Sequence, residues 1–358
     1  VDARHRGAPV NRPLKSPADL ARAGLVDAAA LPALEAVAAR YAVSVTPDLA
    51  DLIDPADPHD PIARQFVPRA EELATRPEED ADPIGDDAHS PLAGLVHRYP
   101  DRVLLKPLHV CPVYCRFCFR RERVGPDGLG TLSDAELDAV FAYIAGRAEI
   151  WEVVVTGGDP FALSPRRLAR IASALREIPH VRVLRFHTRV PVVEPATVTD
   201  GLVAALKQFG GAVFVALHAN HPREFTPAAA AAIARLVDAG IPMVSQTVLL
   251  AGVNDDPDTL GRLMRTFVEH RIKPYYLHHG DLAPGTGHLR TDLDAGRALM
   301  GHLRGRLSGL AQPLYVLDIP GGHGKVPVGP DYLRATAAGW RVEDPQGRVH
   351  AYPPIPEA

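Results

Sequence analysis

From about residue 103 onward, short apolar runs alternate with segments whose apolar positions recur at helical spacing. The runs Val103–Leu108, Glu152–Val155, Arg182–His187, Val213–Leu217, Met243–Leu249 and Ile272–Leu277 predict strands, and Leu314–Asp318 predicts one more. Successive strand ends lie about 30 residues apart, the length of a βαβ unit. Apolar character is nearly continuous within each run, which predicts a parallel sheet covered on both faces by helices. The helices between carry start signals. Ser133 with Glu136 is a capping box, and Ser164–Pro165, Thr226–Pro227 and Asp256–Pro257 each set a capping side chain before a proline at the first helical position. Six βα units and a seventh short strand make an α/β fold, an open partial barrel. Before Cys111 no further strand pair is visible that would close it with eight strands.

The flanks read differently. Pro17–Tyr41 predicts two small helices separated near Gly24, and Ile62–Leu73 another short helix. Asp54–Pro61 and Arg76–Asp87 are proline- and acid-rich connections. The division expected is a wrapping helical segment over 1–96, the barrel over 97–325 and a short extension over 326–358, with His350–Ala358 as an extended tail.

Composition narrows the class. The chain has 358 residues, 46% of them hydrophobic, so it buries a sizeable core. Its formal charge of −4 gives no support to a nucleic-acid partner. No apolar run reaches the length of a membrane span, and no apolar block follows Arg4 and Arg6 as a secretory signal requires. All three cysteines fall in one segment, a poor disulfide framework, which points to a reducing cytoplasm.

That segment is CPVYCRFCFRR, with Cys111, Cys115 and Cys118 spaced C-x3-C-x2-C. Three thiolates can hold three irons of a [4Fe–4S] cluster and leave the fourth open to a ligand. The competing readings are three buried thiols, or a Cys3His zinc site completed by His109 or His97. A second segment, LDIPGGHGKVPV, sets Asp318 seven residues before Lys325. Gly321, Gly322 and Gly324 let the backbone pass close to a bulky group, and a lysine amine can bond to pyridoxal 5′-phosphate (PLP). The same residues also suit an ordinary glycine loop with an exposed amine. They do not form a P-loop.

The cysteine motif, with an aromatic before its last cysteine, resembles the radical S-adenosylmethionine (SAM) superfamily. With VTPDLADLIDPADPHDPI, HSPLAGLVHRYPDRVLL, TGGDP, NHPREFTP, QTVLLAGVND, KPYYLHHGDL and DIPGGHGK, nearly the whole chain resembles the lysine 2,3-aminomutase family, a PLP-dependent branch of that superfamily. The resemblance implies a radical SAM partial (βα)6 TIM-like barrel. It implies migration of the α-amino group of free L-lysine to C3, giving β-lysine, with a [4Fe–4S] cluster, SAM and PLP as cofactors.

Carried over by motif, Cys111, Cys115 and Cys118 would bind iron and Lys325 would carry PLP. Arg98 and Arg102 would contact the PLP phosphate, and Arg120 the substrate carboxylate. Asp281 and Asp318 would receive the distal ammonium of lysine, which a second acidic side chain could not replace without adding a third negative charge. Asp159 in TGGDP, His218 and Gln246 would lie on the SAM side. Against these stand plain alternatives: solvated arginines, an Asp281 that caps a loop, and an Asp318 that steadies the glycine turn. His187 takes no role. Phe117 stands where several members carry His, and His323 where glycine can stand. No cysteine follows Cys118, unlike the longer lysine-degrading members, so a smaller homo-oligomer is expected. A flavodoxin or ferredoxin would supply electrons. The related branch making (R)-β-lysine for elongation factor P, and an iron–sulfur or PLP-binding protein without turnover, are the alternatives.

Overall fold

The computed structural model describes residues 10–125, 130–337 and 339–353; Arg4, Arg6 and the last five positions of the expected tail lie outside them. Nine strands form one sheet in chain order: β1 Leu95–Tyr99, β2 Arg102–Leu108, β3 Glu152–Gly157, β4 Val183–Thr188, β5 Ala212–His218, β6 Met243–Val248, β7 Ile272–His278, β8 Leu314–Ile319 and β9 Gly324–Pro327. Consecutive pairs from β2 to β8 are all parallel, while β1 and β9 are antiparallel edges. The seven parallel strands are those the hydrophobic pattern predicts, curved into an open barrel. Sheet pairing does not join β1 to β9. Instead the Tyr99 hydroxyl accepts a hydrogen bond from the Lys325 amide at 2.9 Å, tying the two edges together.

Helical crossovers cover the outer face. Every predicted cap forms: the Ser133 box is complete, and Ser164, Thr226 and Asp256 each accept from a first-turn amide. In Pro165–Arg176 the buried positions Leu168, Ile171, Ala172 and Leu175 follow the i, i+3, i+4, i+7 stripe of a helix laid on a sheet. Val153, Val154 and Val155 of β3 are all buried, as expected of a strand covered on both sides.

Three expectations need correction. The β1–β2 hairpin is an extra strand pairing before the cysteines, hidden because Leu95–Tyr99 is half polar. The single helix expected over Ile62–Leu73 is two short pieces, Ala63–Phe66 and Ala70–Leu73, because Pro68 cannot continue the first. The start of the expected tail is paired strand: His350–Tyr352 belong to β12 Val349–Tyr352, which with β10 Leu333–Thr336 and β11 Gly339–Glu343 forms a separate antiparallel sheet in the extension. Among the described residues no helix is long and apolar enough to cross a membrane.

Candidate active site

The loop leaving β2 carries Cys111, Cys115 and Cys118 as free thiols. All three border one cavity of about 50 Å3, with Tyr41, Val113 and Val124. Residues between and beside them anchor the loop. Arg116, 1% exposed, reaches Glu72 at 3.0 Å and the Ala42 carbonyl at 2.8 Å. Arg121 also bonds Glu72 and donates to the Arg116 carbonyl at 2.9 Å. Burial pushes Glu72 up, but the two guanidiniums outweigh it and hold its carboxyl below the usual range. Beyond β4, Arg189 lies 3.6 Å from Cys115 Sγ and pairs with Gln65 and Glu224 at 2.6 and 2.7 Å.

Desolvation raises all three thiols, Cys115 to about 11, so a thiolate here needs a cationic partner such as a metal. Among the described residues no three His, Cys, Asp or Glu side chains converge as one bound ion would require. His97, a candidate zinc ligand, bonds the Tyr143 hydroxyl at 3.0 Å instead. A four-iron cluster takes each thiolate on a different iron and needs no such convergence.

The TGGDP turn closes on the same loop. The Gly158 and Asp159 amides donate to the carbonyls of Leu108 and Val110, at 2.7 and 3.1 Å. A Cβ on Gly158 would stand 2.1 Å from the Val110 oxygen, so the approach requires glycine. Both Asp159 oxygens are used within the protein, by Thr188 Oγ1 and the Arg189 amide, each at 2.7 Å. The carboxylate thereby ties β3 to the end of β4.

The second cluster gathers at β8 and β9. Asp318 and Lys325 are directly opposed in that hairpin, and their side chains meet at 2.5 Å. His278, the last residue of β7, brings Nδ1 to 3.3 Å from Lys325 Nζ and 3.4 Å from Asp318 Oδ2. Gln246 of β6 meets the other His278 nitrogen at 3.1 Å, and His218 is its register partner on β5. Burial lowers His218 to about 3, which keeps it neutral. His187, on β4, comes within 6.3 Å of His218, ring to ring. Burial first, and then the Asp318 charge, push Asp281 up to about 7. Burial also pushes Asp318 up, but the His278 hydrogen bond and the Lys325 charge hold it well below the carboxylate range. The cysteine loop leaves the C-terminal end of β2, and Asp281 follows that of β7 in the same parallel set, so the two clusters share one end of the barrel.

Sequence reasoning missed the residue that organises the third group. Asp86, 3% exposed, accepts from Arg98 at 3.0 Å and Arg120 at 3.0 Å, with Lys106 Nζ at 3.6 Å. Burial raises Asp86, but Arg120, Lys106 and Arg98 outweigh it and hold the carboxyl below its usual range. Arg102 stands apart, bonded to Asp101 at 2.7 Å and stacked 3.8 Å over the Tyr99 ring. The trace of Asp86 in the sequence is slight: buried Ile84 beside Gly85, inside an acidic, proline-rich stretch. A Cβ on Gly85 would lie 2.6 Å from the Gly322 amide, so two glycine turns meet backbone to backbone here. That contact sets Asp86 beside the lysine hairpin.

Known proteins resemble this chain in sequence. The radical SAM superfamily profile matches residues 105–263, and the lysine-2,3-aminomutase profile matches residues 300–352. The L-lysine 2,3-aminomutase of Acetoanaerobium sticklandii is 41% identical over 291 residues, 81% of this chain and 70% of that one. The chain belongs to the lysine 2,3-aminomutase family. The L-lysine 2,3-aminomutase of Clostridium subterminale is 40% identical over 291 residues, with the same 81% and 70% shares. The glutamate 2,3-aminomutase of Clostridioides difficile is 38% identical over 273 residues, 76% of this chain and 64% of that one.

A lysine 2,3-aminomutase family chain is an enzyme, an intramolecular aminomutase, and the family brings SAM, a [4Fe–4S] cluster and PLP. The residues present fit these groups. Three unpaired thiols on one loop suit a cluster with one open iron, and the amine of Lys325 is held on a glycine-flanked hairpin facing histidine and carboxylate.

Proposed function

We propose that this chain is an L-lysine 2,3-aminomutase that acts on free L-lysine in the cytoplasm and draws electrons from a flavodoxin or ferredoxin. The observation that carries the substrate is the charge pattern around Lys325. Asp281 and Asp318 form an acidic end, and Arg98, Lys106 and Arg120 a basic one. A zwitterion with a distal ammonium matches both ends at once. Glutamate would instead set a third carboxylate against Asp281, which is already reluctant to ionise.

When bound, the cluster with SAM supplies the radical, and PLP supplies the conjugated system that stabilises it. Cys111, Cys115 and Cys118 would hold the irons, and Lys325 the PLP aldehyde. Arg120 would orient the substrate carboxylate by a charge-assisted contact. Arg98 would contact the PLP phosphate, with Arg102 beside it; the enclosure of Arg98 next to Asp86 supports its role more than the contacts of Arg102 with Asp101 and Tyr99 support that of Arg102. His218, Gln246 and the Asp159 turn would line the SAM side, where neutral histidine adds no charge beside a cationic cosubstrate. The same walls would exclude water from the bound cofactors.

Anaerobically reconstituted protein given SAM, PLP, a reductant and either L-lysine or L-glutamate tests this. β-Lysine from lysine, and no β-glutamate, is expected. Isomerisation of glutamate, or of neither, would sink the reading. Chiral analysis then separates the (S) product from the (R) product of the elongation factor P branch.

A further inference from the structure

An ammonium has no lone pair, so Lys325 must shed a proton before its amine can bond to an aldehyde carbon or leave a substrate free to do so. Three side chains are candidates to take it. Asp318 is nearest, at 2.5 Å, but it is a poor base, because His278 and Lys325 both stabilise its anion. Asp281 makes no hydrogen bond with Lys325 among the described residues. His278 has Nδ1 at 3.3 Å from Nζ.

We propose that His278 receives the proton from Lys325 Nζ and returns it, as a catalytic residue in each exchange of the lysine linkage. This rests on the reading that Lys325 carries PLP. The Nζ–H bond breaks and leaves its electron pair on nitrogen; an Nδ1–H bond forms from the imidazole lone pair; nothing is oxidised or reduced. Asp318 stays anionic throughout. It lies 3.4 Å from Nδ1 and 2.5 Å from Nζ, so it balances the imidazolium as it balanced the ammonium. The buried net charge never changes, which removes the main cost of moving a proton in a dehydrated site.

The surroundings favour such a relay. Burial and then the Lys325 charge lower His278, so it waits neutral while the lysine is charged. Once the proton has crossed, that repulsion is gone, and the opposing pull of Asp318 remains. For Nδ1 to accept, Nε2 must carry the hydrogen. In the structure the Gln246 amide nitrogen lies 3.1 Å from His278 Nε2, while its Oε1 is buried without a hydrogen-bond partner. Half a turn of the amide sets that oxygen against Nε2–H and fixes the tautomer. The other ionisable groups around His278 are Tyr276 on its own strand, with rings 5.6 Å apart, and the more distant His218 and His187.

The test follows PLP loading itself, without SAM or lysine. Cluster-loaded protein is mixed with PLP from about pH 6 to pH 9. Absorbance gives the rate, and borohydride reduction with peptide mass spectrometry gives the adduct site. His278→Gln should reach the wild-type extent of adduct at Lys325 about 100-fold more slowly, lose the imidazole ionisation from its pH–rate profile, and regain rate with added imidazole. His278→Asn serves as the second variant should the first melt early. Wild-type rate and pH profile in a folded variant would overturn the proposal. Lys325→Ala separates the two readings: an adduct that persists there refutes the PLP role of Lys325. A wild type with no adduct refutes both.

Discussion

The segments before and after the βα ladder are both mixed in sequence and rich in proline, yet the fold uses them in opposite ways. The earlier one sends Gln65, Glu72 and Asp86 into the interior, each at most 3% exposed and each bonded to an arginine of the site or, for Gln65, to Arg189. The later one forms a sheet whose outer strands β10 and β12 are exposed at every position, with Tyr352 of β12 at 64% and Trp340 of the central β11 at 47%. Register puts Ala335, Trp340 and Tyr352 side by side on that sheet. A buried carboxylate is stable only against its partners, so the chain carrying it is fixed to them. An exposed sheet carries no such debt to the site.

Breaking the comparison at its strongest point means removing Glu72. Glu72→Gln leaves Arg116 and Arg121 buried without a counter-charge. A loss of about 3–5 kcal/mol is expected in denaturant unfolding, together with reduced iron content, because both arginines flank the cysteines. An unchanged midpoint would mean the first segment is dispensable.

A smaller loss, about 1–3 kcal/mol, is expected for Asp86→Asn, since Arg98, Lys106 and Arg120 keep some solvent. The sign with pH follows from the direction of its shift. The folded carboxyl lies below its unfolded value, so its contribution is complete above about pH 4 and fades as pH falls through the folded pKa. Wild type and variant should therefore converge in acid and differ at neutrality, as unfolding curves at several pH values would show. A gap that widens in acid would contradict the charge pattern.

The smallest effect belongs to the other side of the comparison. Trp340→Ser should change stability by no more than about 0.5 kcal/mol and leave iron and PLP content at wild-type levels. A large loss of either cofactor would erase the contrast between the two flanks.

Legibility followed the range of the forces. Helix starts at Ser133, Ser164, Thr226 and Asp256 were readable because a cap and its amide lie within three residues. The parallel strands were readable because burial on both faces writes a continuous apolar run. The β1–β2 hairpin was not, since an edge strand is half solvated and its alternation is weak. Cys111, Cys115 and Cys118 announced themselves by spacing, and Asp318 and Lys325 by the glycines between them.

Sequence alone therefore determined the ladder, its capped helices, the cysteine loop and the lysine turn, because each is specified by residues close together in the chain. Only the folded chain decided that Asp86 would gather Arg98, Lys106 and Arg120, that Glu72 would pin Arg116, and that His278 would meet Lys325. Those partners lie 34, 44 and 47 positions apart for Arg120–Asp86, Arg116–Glu72 and Lys325–His278. Charges so distant in sequence choose one another only when a packed core removes the water that would otherwise solvate each alone.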